Sequence, residues 1–409
     1  SYFLARRQDG VATAEVFRPR VRPHYRAASP GSMSSLLTPT NVTIAAGAAA
    51  ALYVAYQLTR DTKADPPPAT PAAAAPELPP YTETARDSMF ASGEDEGSIG
   101  DMIADAMEGM DRQTKRRFEA LIGALVADAA ALPTYWNYNP DTITQAMKAS
   151  GAKHPEFLSP TSNLHFRIPV GSYSCHGSQI LAIMESLVAA GGFDARIMAQ
   201  SYDSAFGLSS DYGSLTNEKG QSKGWRNLSV SEYIKAASEG KAPLDRGHAS
   251  DCQSDAYVKV IPIVCVYAGR PELMETCEAA IRLTQNNDKA VVMGCTAARI
   301  LEGCILGISP DVSVLESTTH LPGYMQPAVR EEFANIVCDI YCMRKEESVE
   351  RVVEECGKGL EVKMRAMARS CMPPYCLQIP SYIVASDPCS YSAAVRTSIL
   401  SGGDNCPRA

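Results

Sequence analysis

From about Arg112 onward, apolar side chains return every three or four positions, the period of an amphipathic helix, and strict alternation is almost absent. In "FEALIGALVADAAAL" the residues Phe118, Leu121, Ile122, Leu125, Val126, Ala129 and Leu132 fall on one face, and Pro133 ends the run. "SQILAIMESLVAAGG" predicts a helix that starts on Ser178 and stops at Gly191–Gly192. Further helices are expected over 272–283, 288–307, 327–343, 346–369 and 390–401. "YVKVIPIVCVY" is ambiguous between helix and buried strand, and Pro262 argues against a central strand. The pattern predicts an all-α domain over 112–409.

Upstream the pattern changes three times. Residues 1–41 read as a basic extended arm, with Arg6, Arg7, Arg18, Arg20, Arg22 and Arg26 against Asp9 and Glu15. The arm begins with Ser rather than Met and is rich in Arg and poor in acid, the character of a residual targeting segment. Residues 42–60 are expected to form a single transmembrane helix. The run from Val42 to Leu58 is apolar, no charge lies between Ala27 and Thr59, and Tyr53 and Tyr56 suit an interfacial belt. A soluble Ala-rich helix is the alternative. The arginines before the span place the N-terminus on the matrix or stromal side. Residues 61–111 are a Pro/Ala-rich linker of polyproline character followed by an acidic segment.

Composition narrows the function classes. A net charge of -8 and the absence from the globular part of a basic stripe with interleaved aromatics argue against non-specific nucleic-acid binding. The 13 cysteines lack zinc-module spacing, although Cys338 and Cys342, and Cys371 and Cys376, would lie about a turn apart on helices. Buried thiols acting as small apolar side chains are expected, with one or two disulfides as the alternative. His154, His165, His248 and His320 share no spacing and read as solvent-facing or satisfied.

Five segments in order carry a family resemblance. "FEALIGALVADAAALPTYWNYN", "SYSCHGSQILAIMESLVAAGGFD", "DCQSDAYVKVIPIVCVYAG", "RLTQNNDKAVVMGCTAARILEGCILG" and "SGGDNCPRA" resemble successive elements of the ADP-ribosylglycohydrolase superfamily, in its lens J-crystallin and selenoprotein J branch. The resemblance covers roughly residues 115 to 409 and implies a compact all-α domain. In the family's hydrolases two magnesium ions held by carboxylates orient the ribose and activate water, which requires hard oxygen ligands.

Carried over residue by residue, the family's Thr-Asp-Asp-Thr element falls on Cys175, His176, Gly177 and Ser178, with its Gln on Gln179. Both aspartates are missing there. In the last element Asp404 remains, Asn405 follows, Cys406 replaces the second aspartate, and Pro407 stands where a hydroxyl is expected. Gln285 falls at the family's His. Asp128 is read as a packing or capping carboxylate and Asp288 as a helix cap. The expected vestigial cleft therefore comprises Asp128, Cys175, His176, Ser178, Gln179, Asp288, Asp404, Asn405 and Cys406. It is expected to lack catalytic residues and to have lost its magnesium, because one surviving metal-facing carboxylate cannot hold two dications. A zinc site on Cys175, His176 and Cys406 is the alternative metal chemistry.

Three function classes follow. The favoured one is a non-catalytic accessory subunit of an organellar membrane complex, with other protein subunits as partners and the bilayer engaged through 42–58. The mitochondrial inner membrane and a respiratory complex are the expected setting, the plastid thylakoid the competitor. The second is a membrane-tethered ADP-ribosyl hydrolase or ADP-ribose-binding protein with a degenerate metal site. The third is an unrelated soluble interaction domain.

Overall fold

The computed structural model describes residues 3–8, 11–16, 107–163, 168–210, 225–318, 371–373, 375–385 and 391–409, together with positions 212, 321, 327 and 331. The expected transmembrane helix over 42–60, most of the linker over 61–111, the expected helix over 327–343 apart from positions 327 and 331, and the expected helix over 346–369 lie outside them, as do Cys338, Cys342, His165 and His320. Among the described residues no helix is long and apolar enough to cross a membrane.

Two units are distinguished, Ser1–Pro30 and Gly31–Ala409. The first contains an antiparallel pair, β1 (Phe3–Gln8) and β2 (Val11–Val16), with Phe3 opposite Val16 and Gln8 opposite Val11. Both strands fall within the stretch 1–41 that was expected as an extended arm. The residues between the strands are Asp9-Gly10, a pair that two-residue hairpin connections favour because such turns need positive φ.

The second unit is helical wherever it is described, apart from isolated bridges at Asn137–Gly403 and His248–Gln285. Its helices are α1 (Arg112–Ala131), α2 (Pro140–Ser150), α3 (Cys175–Ala190), α4 (Ala195–Phe206), α5 (Leu228–Ser238), α6 (Asp255–Tyr267), α7 (Leu273–Thr284) and α8 (Asp288–Leu306). After these come α9 (Pro310–Glu316), α10 (Tyr375–Ala385), α11 (Tyr391–Leu400) and the short α12 (Asn405–Arg408). Helix ends follow local chemistry. Asp111 caps α1 by accepting from the Gln113 and Thr114 amides, and Gly191 and Gly307 end α3 and α8 in the left-handed conformation.

Three boundaries differ from the sequence reading. Helix α3 begins at Cys175, not Ser178, because the Ser174 side chain accepts from the His176 amide and so starts the helix a turn earlier. The ambiguous segment is α6, a helix of 13 residues with Pro262 inside. Burial on almost every side explains why its periodicity could not separate helix from strand. At the head of α8 the cap is Asn287, whose side chain accepts from the Ala290 amide. Asp288 is instead the first helical residue.

Helices α1, α3, α7 and α8 pack around α6. The contact of α6 with α8 is close because Gly294 has no side chain: a Cβ there would lie 2.8 Å from the Ala256 carbonyl oxygen. The core includes Phe118, Leu125, Ile183, Tyr202, Val260, Ile263, Ile281 and Val292, all at most 1% exposed. The chain's end returns to α1 through α12, which sets the final glycine turn beside the start of α3 and α6.

Candidate functional site

Three carboxylates converge near the C-terminal end of α1 and the N-termini of α3 and α6: Asp128, Asp255 and Asp404, each no more than 2% exposed. An isolated charge so buried is strongly disfavoured unless it is paired or richly hydrogen-bonded, so the partners of each decide what the site can do.

Asp128, on α1, accepts from the Ser174 amide at 2.8 Å and the Ser174 hydroxyl at 2.5 Å. Burial raises its pKa, and the Ser174 bonds and His176 offset that only in part. The capping role expected for this residue is therefore met in a particular way: it holds the residue that caps α3. A Cβ at Gly177 would overlap Asp128 Oδ2, so the glycine in "SCHGSQ" is required for the carboxylate to reach the helix start.

Asp255 opens α6. Its Oδ1 accepts from Gln179 Nε2 at 2.7 Å and lies 3.2 Å from His176 Nδ1, close enough for an ion pair though poorly aligned for a hydrogen bond. The other ring nitrogen of His176 lies 3.1 Å from the Tyr135 hydroxyl. Burial pulls the His176 pKa down, but Asp255 outweighs it and the net shift is upward. Reciprocally, burial raises Asp255 while His176 and Lys259 bring it below the ordinary value. Lys259 sits one turn along α6, fully buried, and donates to Gln285 Oε1 at 2.7 Å. Burial lowers its pKa to about 8, against the pull of Asp255 and Asp251.

Asp404 accepts from Trp136 Nε1 at 3.3 Å and from the Ser254 hydroxyl at 2.8 Å. It is placed by Gly402 and Gly403, both at positive φ. The Gly403 amide donates to the Asn137 carbonyl at 2.7 Å, and the Trp136 amide to the Gly403 carbonyl at 2.9 Å. Trp136 itself has a φ of 61°, uncommon for a bulky residue. It stacks on Tyr135 at 4.9 Å and meets Trp225 edge-on at 4.2 Å, giving the site an aromatic wall. Arg408, also buried, donates through Nε to the Asp404 carbonyl at 2.9 Å.

Of the residues expected in the cleft, Asp128, His176, Gln179, Asp404, Asn405 and Cys406 come together. Asn405 donates to Thr134 Oγ1 at 2.7 Å, and Cys406 lies near Asp128 and Ser174. Others do not join them. The Cys175 thiol turns to Asn227 Oδ1 at 3.2 Å, and the Ser178 hydroxyl pairs with Tyr212 at 2.9 Å. Asp288 is held at the surface by Arg282 at 2.8 Å, and so is neither cap nor cleft residue. The proposed zinc trio is not assembled: among the described residues no group of three or more His, Cys, Asp or Glu could hold a metal ion.

The sequence reading also missed residues. Asp255, Lys259, Ser254, Tyr135, Trp136 and Arg408 all belong to the site. The available signal was "SDAYVK", which puts Asp255 and Lys259 one turn apart on a segment otherwise almost wholly apolar. Of the carboxylates expected in the cleft, Asp128 and Asp404 are there, and Asp255 rather than Asp288 is the third. The residues still do not fit a pair of magnesium ions. Five of the six carboxylate oxygens accept a hydrogen bond from protein or face a protein cation: Ser174 takes both oxygens of Asp128, Trp136 and Ser254 those of Asp404, and Gln179 and His176 one of Asp255. Lys259 and Arg408 add positive charge where dications would need net negative charge. Of the nine described cysteines seven are buried.

The described residues form a helical domain in which three buried carboxylates gather at one site. The sequence profile described as ADP-ribosylglycohydrolase matches residues 110–409, and the chain belongs to that family. Within it the chain sits on the J-crystallin branch. It is 27% identical to Crystallin J1A of Tripedalia cystophora over 302 residues, 73% of this chain and 86% of the relative. It is 29% identical to Crystallin J1B of the same organism over 197 residues, 47% of this chain and 60% of the relative. A solved structure titled "ADP-ribosylglycohydrolase-related protein complex" is similar at 17% identity and a TM-score of 0.45, over 73% of this chain and 84% of that one.

Proposed function

We propose that this protein is a non-catalytic member of its family that serves as an accessory subunit of an organellar membrane complex, with a mitochondrial respiratory complex as the setting. The observation that carries the loss of catalysis is the occupation of the carboxylates by the chain's own donors and cations. Asp255 faces His176 and Lys259, and Asp128 is spent on starting α3. By the resemblance, both magnesium-binding aspartates of the family's first element are replaced, by His176 and Gly177. The anchoring reading rests on the apolar run Val42–Leu58 and the Arg-rich segment before it.

The test is direct. The full chain is incubated with an ADP-ribosylated peptide and magnesium, and free ADP-ribose is followed. No turnover is expected, and the thermal midpoint is expected to be the same in magnesium and in EDTA, since a ligand that does not bind the native state adds no stability. Turnover abolished by Asp404→Ala would overturn the proposal. The membrane assignment is checked by carbonate extraction of mitochondria: an integral anchor remains in the pellet. Recovery in the supernatant, or in thylakoids, would refute it.

A further inference from the structure

A cavity of about 270 Å³ lies among α1, α6, α8 and α10, and nearly all the surface that lines it is apolar. Helix α8 contributes Ala297, Ile300, Leu301 and Cys304, whose spacing sets them on one flank. Helix α10 contributes Leu377, Pro380, Ser381 and Val384 at the same spacing. The head of α10 is fastened by two contacts. Pro380 has no N–H to offer the Cys376 carbonyl one turn back, and the Tyr257 hydroxyl of α6 donates to that carbonyl at 3.2 Å. The Cys376 thiol meets Met293 Sδ of α8 at 3.3 Å. The turns of α8 and α10 that follow these contacts line the cavity. Ile261, Ala297, Ile300, Leu301 and Val384 pack against the core yet are only half-buried. The charged and titratable residues of the lining are engaged with the protein: Asp128 with Ser174, His176 with Asp255 and Tyr135, and Arg408 with the Gly402 and Asp404 carbonyls.

We propose that this cavity binds an uncharged, hydrocarbon-like small molecule of bicyclic or monoterpene size, held by the apolar flanks of α6, α8 and α10. The size follows from proportion. An apolar cavity of about 150 Å³ holds one benzene, so this one has room for roughly ten non-hydrogen atoms. The lack of charge follows from the walls. Water needs two to four polar partners and finds few here, whereas apolar surface on a ligand gains by leaving water. A charged group brought among these side chains would lose its hydration without replacement. The proposal goes beyond the function proposed above and does not rest on it, because the binding surface is the helix flanks and not the carboxylates.

The experiment is a calorimetric titration of the full chain with naphthalene and, separately, with sodium 2-naphthoate, both below their solubility limits. Saturable one-to-one binding of naphthalene is expected, with the carboxylate weaker by roughly tenfold or more, since its charge finds no partner. Ala297→Phe, which fills the cavity from α8, is expected to abolish naphthalene binding. Val384→Phe fills it from α10 and is expected to do the same, so the test stands if one of the two variants does not fold. Should neither fold, the comparison of hydrocarbon and acid on the wild type decides. Absence of saturable naphthalene binding, the result if another part of the chain or a second copy covers these walls, would overturn the proposal. So would equal affinity for naphthalene and naphthoate, or undiminished binding by a folded variant of either kind.

Discussion

Replacing Lys259 with methionine changes the pH dependence of stability in a way that reports directly on the buried cluster. In the native state burial holds the ammonium near a pKa of about 8, whereas the unfolded chain restores it to 10.5. Between those values the unfolded state binds more protons than the native one, so this residue makes stability rise with pH. The contribution is about 1 kcal/mol between pH 7 and 9, and about 3 kcal/mol once the unfolded value is passed. The raw stability curve will not show this, because the buried cysteines act oppositely. Cys265 and Cys295 are pushed up to about 12 by burial, so the unfolded chain loses thiol protons first and stability falls as pH rises. The difference between wild type and Lys259→Met cancels the thiols, which both proteins share. Urea unfolding at pH 7, 8 and 9 measures it, and the gap should shift in favour of the wild type by about 1 kcal/mol across that range. A gap that stays flat or closes with pH would refute the assignment of Lys259 as a buried cation with displaced titration.

Four further outcomes are expected. Gly177→Ala should destabilise by about 1–3 kcal/mol in urea unfolding, since its Cβ overlaps the Asp128 carboxylate. Ser174→Ala should cost about 1–3 kcal/mol, because it removes the cap of α3 and leaves Asp128 short of a donor. The stability gap between wild type and His176→Gln should be largest below pH 6.5 and shrink as pH rises, because the His176 pKa is raised in the native state. A gap that widens with pH would contradict the pairing with Asp255. Arg117→Met should lower stability by about 1–3 kcal/mol, since Arg117 donates to the Cys265, Val266 and Ala268 carbonyls at the end of α6. An unchanged thermal midpoint would show those bonds to be idle.

The helical character of 112–409 was readable because amphipathic periodicity and terminal glycines are local signals. The segments predicted over 272–283, 288–307 and 390–401 stand as Leu273–Thr284, Asp288–Leu306 and Tyr391–Leu400. The family was readable for a related reason: five short segments keep their order, and order survives where single positions drift. Where local signals failed, burial was the cause. Helix α6 is apolar on nearly all sides and so has no polar face to betray its period.

The candidate site divides along the same line. By itself the chain determined which residue stands at each position matched to the family's elements, since that needs only the order of residues. It could not reveal that Asp255 and Lys259 stand inside the cluster, or that Asp128 is held by Ser174 across 46 positions of chain. Nor could it show that Arg408 lies buried against the backbone of Asp404. Those facts are matters of charge balance, and charge balance is set by distance and burial. Both depend on how helices from separate parts of the chain pack around α6, so only the tertiary structure decided which groups face each buried carboxylate.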